Sequence, residues 1–245
     1  MITFASYSIK GGVGKTALAV NLAYALRESG HRTLLIDLDP QCAAAYSFRI
    51  RPADPFKFKK GDRLSGRLRR NIRESDYPGL DVLPSNLAYR NFDILLNRLK
   101  KSKKQLREVL APLSKNYDSL VLDCPPNLTL LSENIFRVAD HLLVPVIPTP
   151  LSERTLEQLI GFYRDKKLDT GRILPFFSMV QSRNRLQEDT MARLRETHPE
   201  FLNTVIPHSV HIERMGEHRA PVLASASRTA PSRAFRALCA EILER

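Results

Sequence analysis

The chain has 245 residues, with 38 Lys and Arg against 26 Asp and Glu, a net charge of +12 and a pI of about 9.9. That length can bury a sizeable core and fits one large α/β domain. No run of about 18 or more apolar residues marks a membrane span, and the N-terminus lacks the basic-then-apolar pattern of a secretory signal. Cys42, Cys124 and Cys239 are odd in number and far apart, without metal-ligand spacing, which points to a reduced, cytoplasmic setting. A charge excess of this size suggests a polyanionic partner.

Residues 2–9 form an apolar, β-branched and aromatic run of strand length. Next comes Lys10-Gly11-Gly12-Val13-Gly14-Lys15-Thr16, a variant of the phosphate-binding loop G-x-x-x-x-G-K-[ST]. Lys15 and Thr16 fill the last two positions of that pattern, Ile9 stands where the first glycine is usual, and Lys10 adds a second lysine. Ala17 opens a helical repeat over residues 17–26 that stops at Gly30. Strand, glycine loop and helix in this order aim the helix N-terminus at the phosphates of a nucleotide.

Further short apolar runs follow at Thr33–Asp37, Ser119–Asp123, His141–Val146 and Ile173–Val180, separated by helical patterns. Such alternation predicts an α/β fold, a single doubly wound domain over residues 1–245 with a mostly parallel sheet flanked by helices. In open sheets of this kind ligands sit at the carboxyl ends of the strands. The loop, Asp37 and Asp123 all fall at such ends, with Asp39 just beyond. A carboxylate there can hold magnesium, directly or through its water shell, beside the hydroxyl of Thr16. Taken singly, each aspartate suits a helix cap or a turn equally well; three phosphate-site elements in sequence favour the nucleotide.

Basic residues cluster twice. Residues 49–73 carry ten Lys and Arg against Asp54 and Asp62, with Phe48, Phe56 and Phe58 interleaved, and read as a basic insertion that touches nucleic acid or an adaptor. Residues 98–107 add six more and no acid, on a pattern in which Leu95, Leu99, Leu106 and Leu110 can face inward, so a solvated helix face explains them equally well.

KGGVGKT at residues 10–16, DLDPQ at 37–41, DCPP at 123–126 and the late stretch at 203–223 together resemble the ParA/MinD family of deviant Walker ATPases, its ParA branch above all. The resemblance implies ATP and Mg2+ as cofactors and a homodimer that sandwiches two nucleotides. It implies that Lys10 reaches the partner subunit's nucleotide while Lys15 serves its own. Asp39 would position or activate the attacking water, Asp37 would support the magnesium shell and Asp123 would hold the ion through water. Met179 and Pro207 would wall the base pocket. Non-specific DNA binding would fall to Arg183, Arg185, Arg214, Arg219, Arg228 and Arg233, with a ParB-like or other cargo adaptor as partner and a nucleoid-associated, cytoplasmic location.

Two departures stand out. Cys42 and Ala43 to Ala45 replace a polar segment usual in relatives, and His208 and His211 occupy positions where relatives often carry arginine. An alternative is a membrane-surface positioning ATPase of the MinD type, which needs an amphipathic C-terminal helix; residues 231–245 instead read as an ordinary packed helix, and no membrane partner is expected. A redox protein like the nitrogenase iron protein would need cysteines that hold a cluster, and neither Cys42 nor Cys124 has the surroundings for one. A module that binds ATP without hydrolysing it has the same motifs. No helix-turn-helix precedes the loop, so operator-specific repression is not expected.

Overall fold

The computed structural model describes residues 1–52, 69–85 and 105–245. Most of the basic insertion at 49–73 and of the basic run at 98–107, with Leu95 and Leu99, lies outside the described residues. The strands are β1 (Ile2–Ser6), β2 (Thr33–Asp37), β3 (Arg73–Glu74), β4 (Leu80–Leu83), β5 (Ser119–Asp123), β6 (His141–Val146), β7 (Ile173–Val180) and β8 (Val205–Pro207). They form one sheet in the order β3-β4-β2-β5-β1-β6-β7-β8, parallel throughout except for the antiparallel edge pair β3 and β4. The chain runs outward from β1 to β2 and β4, returns through β5, and continues on the other side through β6. Phosphate loop and aspartates therefore meet at a topological switch point.

Each buried strand alternates its side chains between two cores. Leu34, Ile36, Leu120 and Leu122 face one core, with Leu106, Leu110, Ile135, Phe136 and Tyr163 packed against them. Those partners come from α3 (Gln105–Leu110), α4 (Leu130–Val138) and α5 (Pro150–Asp165). Leu35 and Val121 face the other core, with Leu18, Leu22, Phe235, Leu238 and Ile242. That face is covered by α1 (Lys15–Glu28), α2 (Ala43–Ser47) and α10 (Ala230–Leu243). Further helices among the described residues are α6 (Arg185–Thr197), α7 (Val210–Glu213), α8 (Met215–His218) and α9 (Val222–Ser225).

The elements differ from the sequence reading at the loop. β1 ends at Ser6 rather than at residue 9, because after Tyr7 bonds to the Leu143 carbonyl at 3.0 Å the hydroxyl of Ser8 accepts the Lys10 N–H at 3.3 Å and turns the chain. α1 begins at Lys15, two residues before the apolar repeat, since Lys15 and Thr16 interrupt the periodicity of its first turn. The C-terminal helix is packed as expected: Phe235, Leu238, Cys239 and Ile242 are buried.

One polar residue locks the second core. Asn21, fully buried in α1, donates to the Ala17 carbonyl at 2.7 Å, and its Oδ1 accepts the Val222 N–H at 2.9 Å. It thereby satisfies the buried start of α9, a helix four residues long with no side-chain cap of its own. Asn21→Leu should leave the Val222 N–H buried without an acceptor and lower stability by about 1–3 kcal/mol, read as an earlier midpoint in urea unfolding; an unchanged midpoint would show that α9 needs no tether.

Candidate functional site

The loop between β1 and α1 is shaped by two left-handed glycines, Gly12 at φ 72° and Gly14 at φ 97°. At Gly14 a Cβ would also lie 3.1 Å from Ser178 Oγ, so conformation and space both require glycine. Two serines brace the loop from below. Ser6 Oγ on β1 donates to the Lys15 carbonyl at 2.8 Å, and Ser178 Oγ on β7 donates to the Val13 carbonyl at 3.0 Å. Around Gly11 and Gly12 no atom comes within 4 Å of an added Cβ, which leaves the loop open on its ligand side. α1 starts from Gly14 with no side-chain cap and no acid in its first turn. Its leading N–H groups and dipole are left for an anion.

Lys15 is 8% exposed, and its Nζ donates to the Lys10 carbonyl at 3.0 Å. Burial lowers its pKa, opposed by Asp123 and Asp39. Thr16 and Ala17, both half-buried, follow it along the same cavity wall.

Asp37 and Asp123 end adjacent strands in register, and both are fully buried. Asp37 is engaged: its Oδ1 accepts the Asp39 N–H at 3.2 Å and its Oδ2 the Ala45 N–H at 3.0 Å. Burial still raises it to about 7. Asp123 is not engaged, for neither carboxylate oxygen accepts a hydrogen bond. Burial first and Asp37 second push its pKa well up, with the Thr16 hydroxyl and Lys15 opposing. Two dry, unsatisfied carboxylate oxygens near a threonine hydroxyl are hard oxygen donors, the set that magnesium prefers. Among the described residues no three His, Cys, Asp or Glu gather into a closed metal cage. Magnesium needs none, since it takes one or two carboxylates together with phosphates and water. The residues present fit the ion.

Asp39 is half-buried at the cavity rim, where its Oδ1 accepts the Gln41 N–H at 2.9 Å. The departure at residues 42–45 has a structural reason. Ala44 and Ala45 are fully buried, and a backbone N–H rather than a side chain meets Asp37, so no polar residue is required there. Cys42 donates to the Ser85 carbonyl at 3.3 Å, and all three cysteines are buried free thiols.

From the loop, a cavity of about 360 Å3 extends towards β7, β8, α7 and α10. Its wall is largely apolar, formed by Leu18, Phe176, Ile206, Ile212 and Phe235, and Pro126, buried Ser178 and Met179 also line it. An apolar slot beside a phosphate cradle suits a flat base. Met179 sits at φ 56°, where the pairing of β7 with β8 shifts register, so a strained bulge turns it to the rim. Pro207 lies beside the cavity, opposite Val180, while its neighbour Ile206 lines the wall. Lys10 does not line this cavity. It borders a separate narrow recess with Ile9, Val13, Val146 and Leu156.

The six arginines lie on three segments. Arg183 and Arg185 are exposed where β7 gives way to α6. Arg214 faces Glu217 at 3.7 Å. Arg219, at φ 48°, donates to the Tyr46 carbonyl at 3.2 Å and stacks over the Tyr46 ring at 4.4 Å, which ties it to α2. Arg228 and Arg233 are exposed at the start of α10, where Arg233 donates to the Arg228 carbonyl at 2.7 Å. His208 meets Glu213 at 3.1 Å, and His211 is exposed. Sequence reading missed Ser6 as the brace of the loop and Ile206, Ile212 and Phe235 as cavity wall; only their place beside motif residues after folding marks them.

The AAA_31 family, described as an AAA domain, matches residues 1–171. The cell division protein PomZ of Myxococcus xanthus is 31% identical over 245 residues, covering 97% of this chain and 76% of PomZ. The chromosome partitioning protein ParA of Caulobacter vibrioides is 30% identical over 248 residues, covering 96% of this chain and 91% of that protein. A putative plasmid partition protein from Borrelia burgdorferi, solved with AMPPNP bound, shares the fold with a TM-score of 0.81 at 22% identity, covering 99% of this chain and 98% of that one. By these matches, and by the variant loop and strand-end aspartates that agree with them, the chain belongs to the ParA/MinD family of ATPases.

Proposed function

We propose that the chain hydrolyses ATP, pairs with a second copy around two ATP molecules, and in that state holds DNA without sequence preference. Its task is to position a cargo, whether plasmid, chromosome origin or protein assembly, until a ParB-like or other adaptor stimulates hydrolysis and release, in the cytoplasm and on the nucleoid. The observation that carries this reading is the division between the two lysines. Lys15 stands on the nucleotide cavity, whereas Lys10 lies outside it on the same loop. A charge at the mouth of the loop that its own cavity does not use is suited to a nucleotide bound by another copy.

The residues act mainly by placement, as phosphoryl transfer demands. The loop N–H groups and the start of α1 hold the phosphates, and the apolar slot holds the base. Lys15 is bonded to the Lys10 carbonyl in this structure, so a phosphate that attracts its ammonium also frees the segment carrying Lys10. Asp123 and Thr16 would hold magnesium, with Asp37 beneath; when bound, the ion neutralises charge on the phosphate oxygens. Asp39 orients the attacking water at the rim. The membrane alternative finds less support, since the apolar face of α10 is spent on the core and no described helix is long and apolar enough to cross a membrane.

Lys15→Ala should abolish binding of a fluorescent ATP analogue, whereas Lys10→Ala should bind it and stay monomeric by light scattering. In DNA co-sedimentation the wild type should pellet with ATP or a slowly hydrolysed analogue and not with ADP, and both variants should stay in solution. DNA binding indifferent to nucleotide would sink the cycle, and a Lys10→Ala protein that dimerises normally would remove the role given to Lys10.

Asp39→Ala should keep nucleotide affinity within about twofold and lower phosphate release by at least about tenfold, in the range of general acid–base and positioning effects. Unchanged turnover would reassign the water to another group.

The buried aspartates also set a pH dependence. A carboxyl whose pKa is higher folded than unfolded holds its proton longer in the folded state, so stability falls as pH rises between the two values. For Asp37 that window runs from 3.8 to about 7, and Asp123 shifts in the same direction. The nucleotide-free protein should therefore melt at progressively lower temperature across this window. Asp123→Asn should flatten the slope, and Mg-ATP should flatten it in the wild type. A slope identical in Asp123→Asn would mean that Asp123 is not protonated in the folded chain.

A further inference from the structure

A second recess, of about 220 Å3, shares no residue with the nucleotide cavity or the phosphate loop. Its walls come from segments that each precede a parallel strand: Arg107 on α3 before β5, Arg137 in the last turn of α4 before β6, and Lys167 and Arg172 between α5 and β7. It therefore sits at the amino ends of the strands, whereas the loop, the aspartates and Arg183 follow strands at their carboxyl ends. Phe136 gives it an apolar floor.

Four cations here face two carboxylates, those of Asp169 and Glu133. Arg137 reaches Glu133 at 3.0 Å, and Arg172 approaches Asp169 at 3.7 Å. Backbone carbonyls also orient two of the guanidinium groups, Arg172 among them. Arg107 donates to the Arg137 carbonyl at 3.3 Å and Arg172 to the Ala139 carbonyl at 3.1 Å. Arg137 Nε is buried without a hydrogen-bond partner, and Lys167 is exposed in a left-handed conformation at φ 52°. Guanidinium forks held in place by carbonyls keep N–H groups for a ligand and are matched to the tetrahedral oxygens of phosphate.

We propose that this recess binds phosphates of a nucleic-acid backbone and forms a second DNA contact at the end of the domain opposite the nucleotide. The inference rests on the DNA-binding reading above and extends it to residues outside the six arginines. Three guanidinium groups and an ammonium around one opening favour a repeating phosphate polyanion over a single carboxylate, and the net charge of +12 agrees. β7, with eight residues at about 3.3 Å each, separates Arg172 from Arg183 by roughly 26 Å, within about one turn of duplex DNA.

The test is fluorescence anisotropy of a labelled duplex with saturating ATP, over a salt series from about 50 to 200 mM, a range in which phosphate contacts change affinity steeply. The proteins are wild type, Arg107→Glu with Lys167→Glu, the milder Arg107→Gln with Lys167→Gln, and Arg183→Glu. Both double variants should hydrolyse ATP and dimerise like wild type, and the Gln pair guards against a folding defect in the Glu pair. At the lowest salt the Glu pair should bind at least about tenfold more weakly, and the salt slope of either pair should fall by about 2, near 0.9 for each lost phosphate contact. Affinity and slope equal to wild type in both pairs, with binding weakened only by Arg183→Glu, would overturn the second site and leave the DNA reading standing. A wild type that binds no duplex in any nucleotide state would overturn both. Loss of binding to anionic vesicles or to an acidic peptide in the double variants, with DNA affinity intact, would also overturn it by giving the recess a different ligand.

Discussion

Two carboxylates share one dry place at the ends of β2 and β5, and the surrounding structure follows from how each is compensated. Like charges in a medium of low dielectric repel strongly and are poorly solvated. The chain resolves this unequally. Asp37 takes two backbone N–H groups from the segment that follows it, which fixes the path from Asp39 to Ala45 and starts α2. Asp123 takes none, and the cation that opposes its shift, Lys15, is bonded to a backbone carbonyl. One aspartate is thus part of the scaffold, and the other is left with two uncompensated oxygens. The same imbalance explains why the loop is braced by neutral hydroxyls, Ser6 and Ser178, which add no charge to the site.

Contacts run on from this centre to the distant basic residues. Asp37 holds Ala45, the next residue Tyr46 receives Arg219, and Arg49 donates to the His218 carbonyl at 3.4 Å. Cys42, Arg49 and Arg219 all adopt left-handed backbone without being glycine, a cost of order 1–3 kcal/mol each that packing must offset. The segment between the nucleotide rim and α8 therefore combines strained backbone and a few specific bonds with the buried side chains of Ala44, Ala45 and Phe48.

The sequence was most legible where chemistry is local. The loop, five of the strands and the three aspartates lie in short motifs or runs whose geometry is set by neighbours along the chain. The base cavity was least legible, because Leu18, Phe176, Ile206 and Phe235 belong to four elements and look like ordinary core. Pro207 against Ile206 shows the limit: along a strand, one position decides between facing a cavity and facing away. Met179 was reachable only by resemblance, since nothing in its local sequence announces a bulge. The arginines were countable but not assignable, because partners such as Tyr46 for Arg219 lie far along the chain. α2 escaped notice for a different reason. Its alanines carry little periodic signal, and what holds it is a carboxylate eight residues earlier.

Among the described residues the two edges of the sheet are both short. β3 has two residues, Arg73 and Glu74, both exposed and charged, and β8 has three and ends in a proline that cannot donate to a further strand. Growth by edge-to-edge strand addition, the route to fibres, finds little template on either side. Open-ended stacking of one sheet on the next is thereby disfavoured by the shortness, charge and proline of the edges themselves.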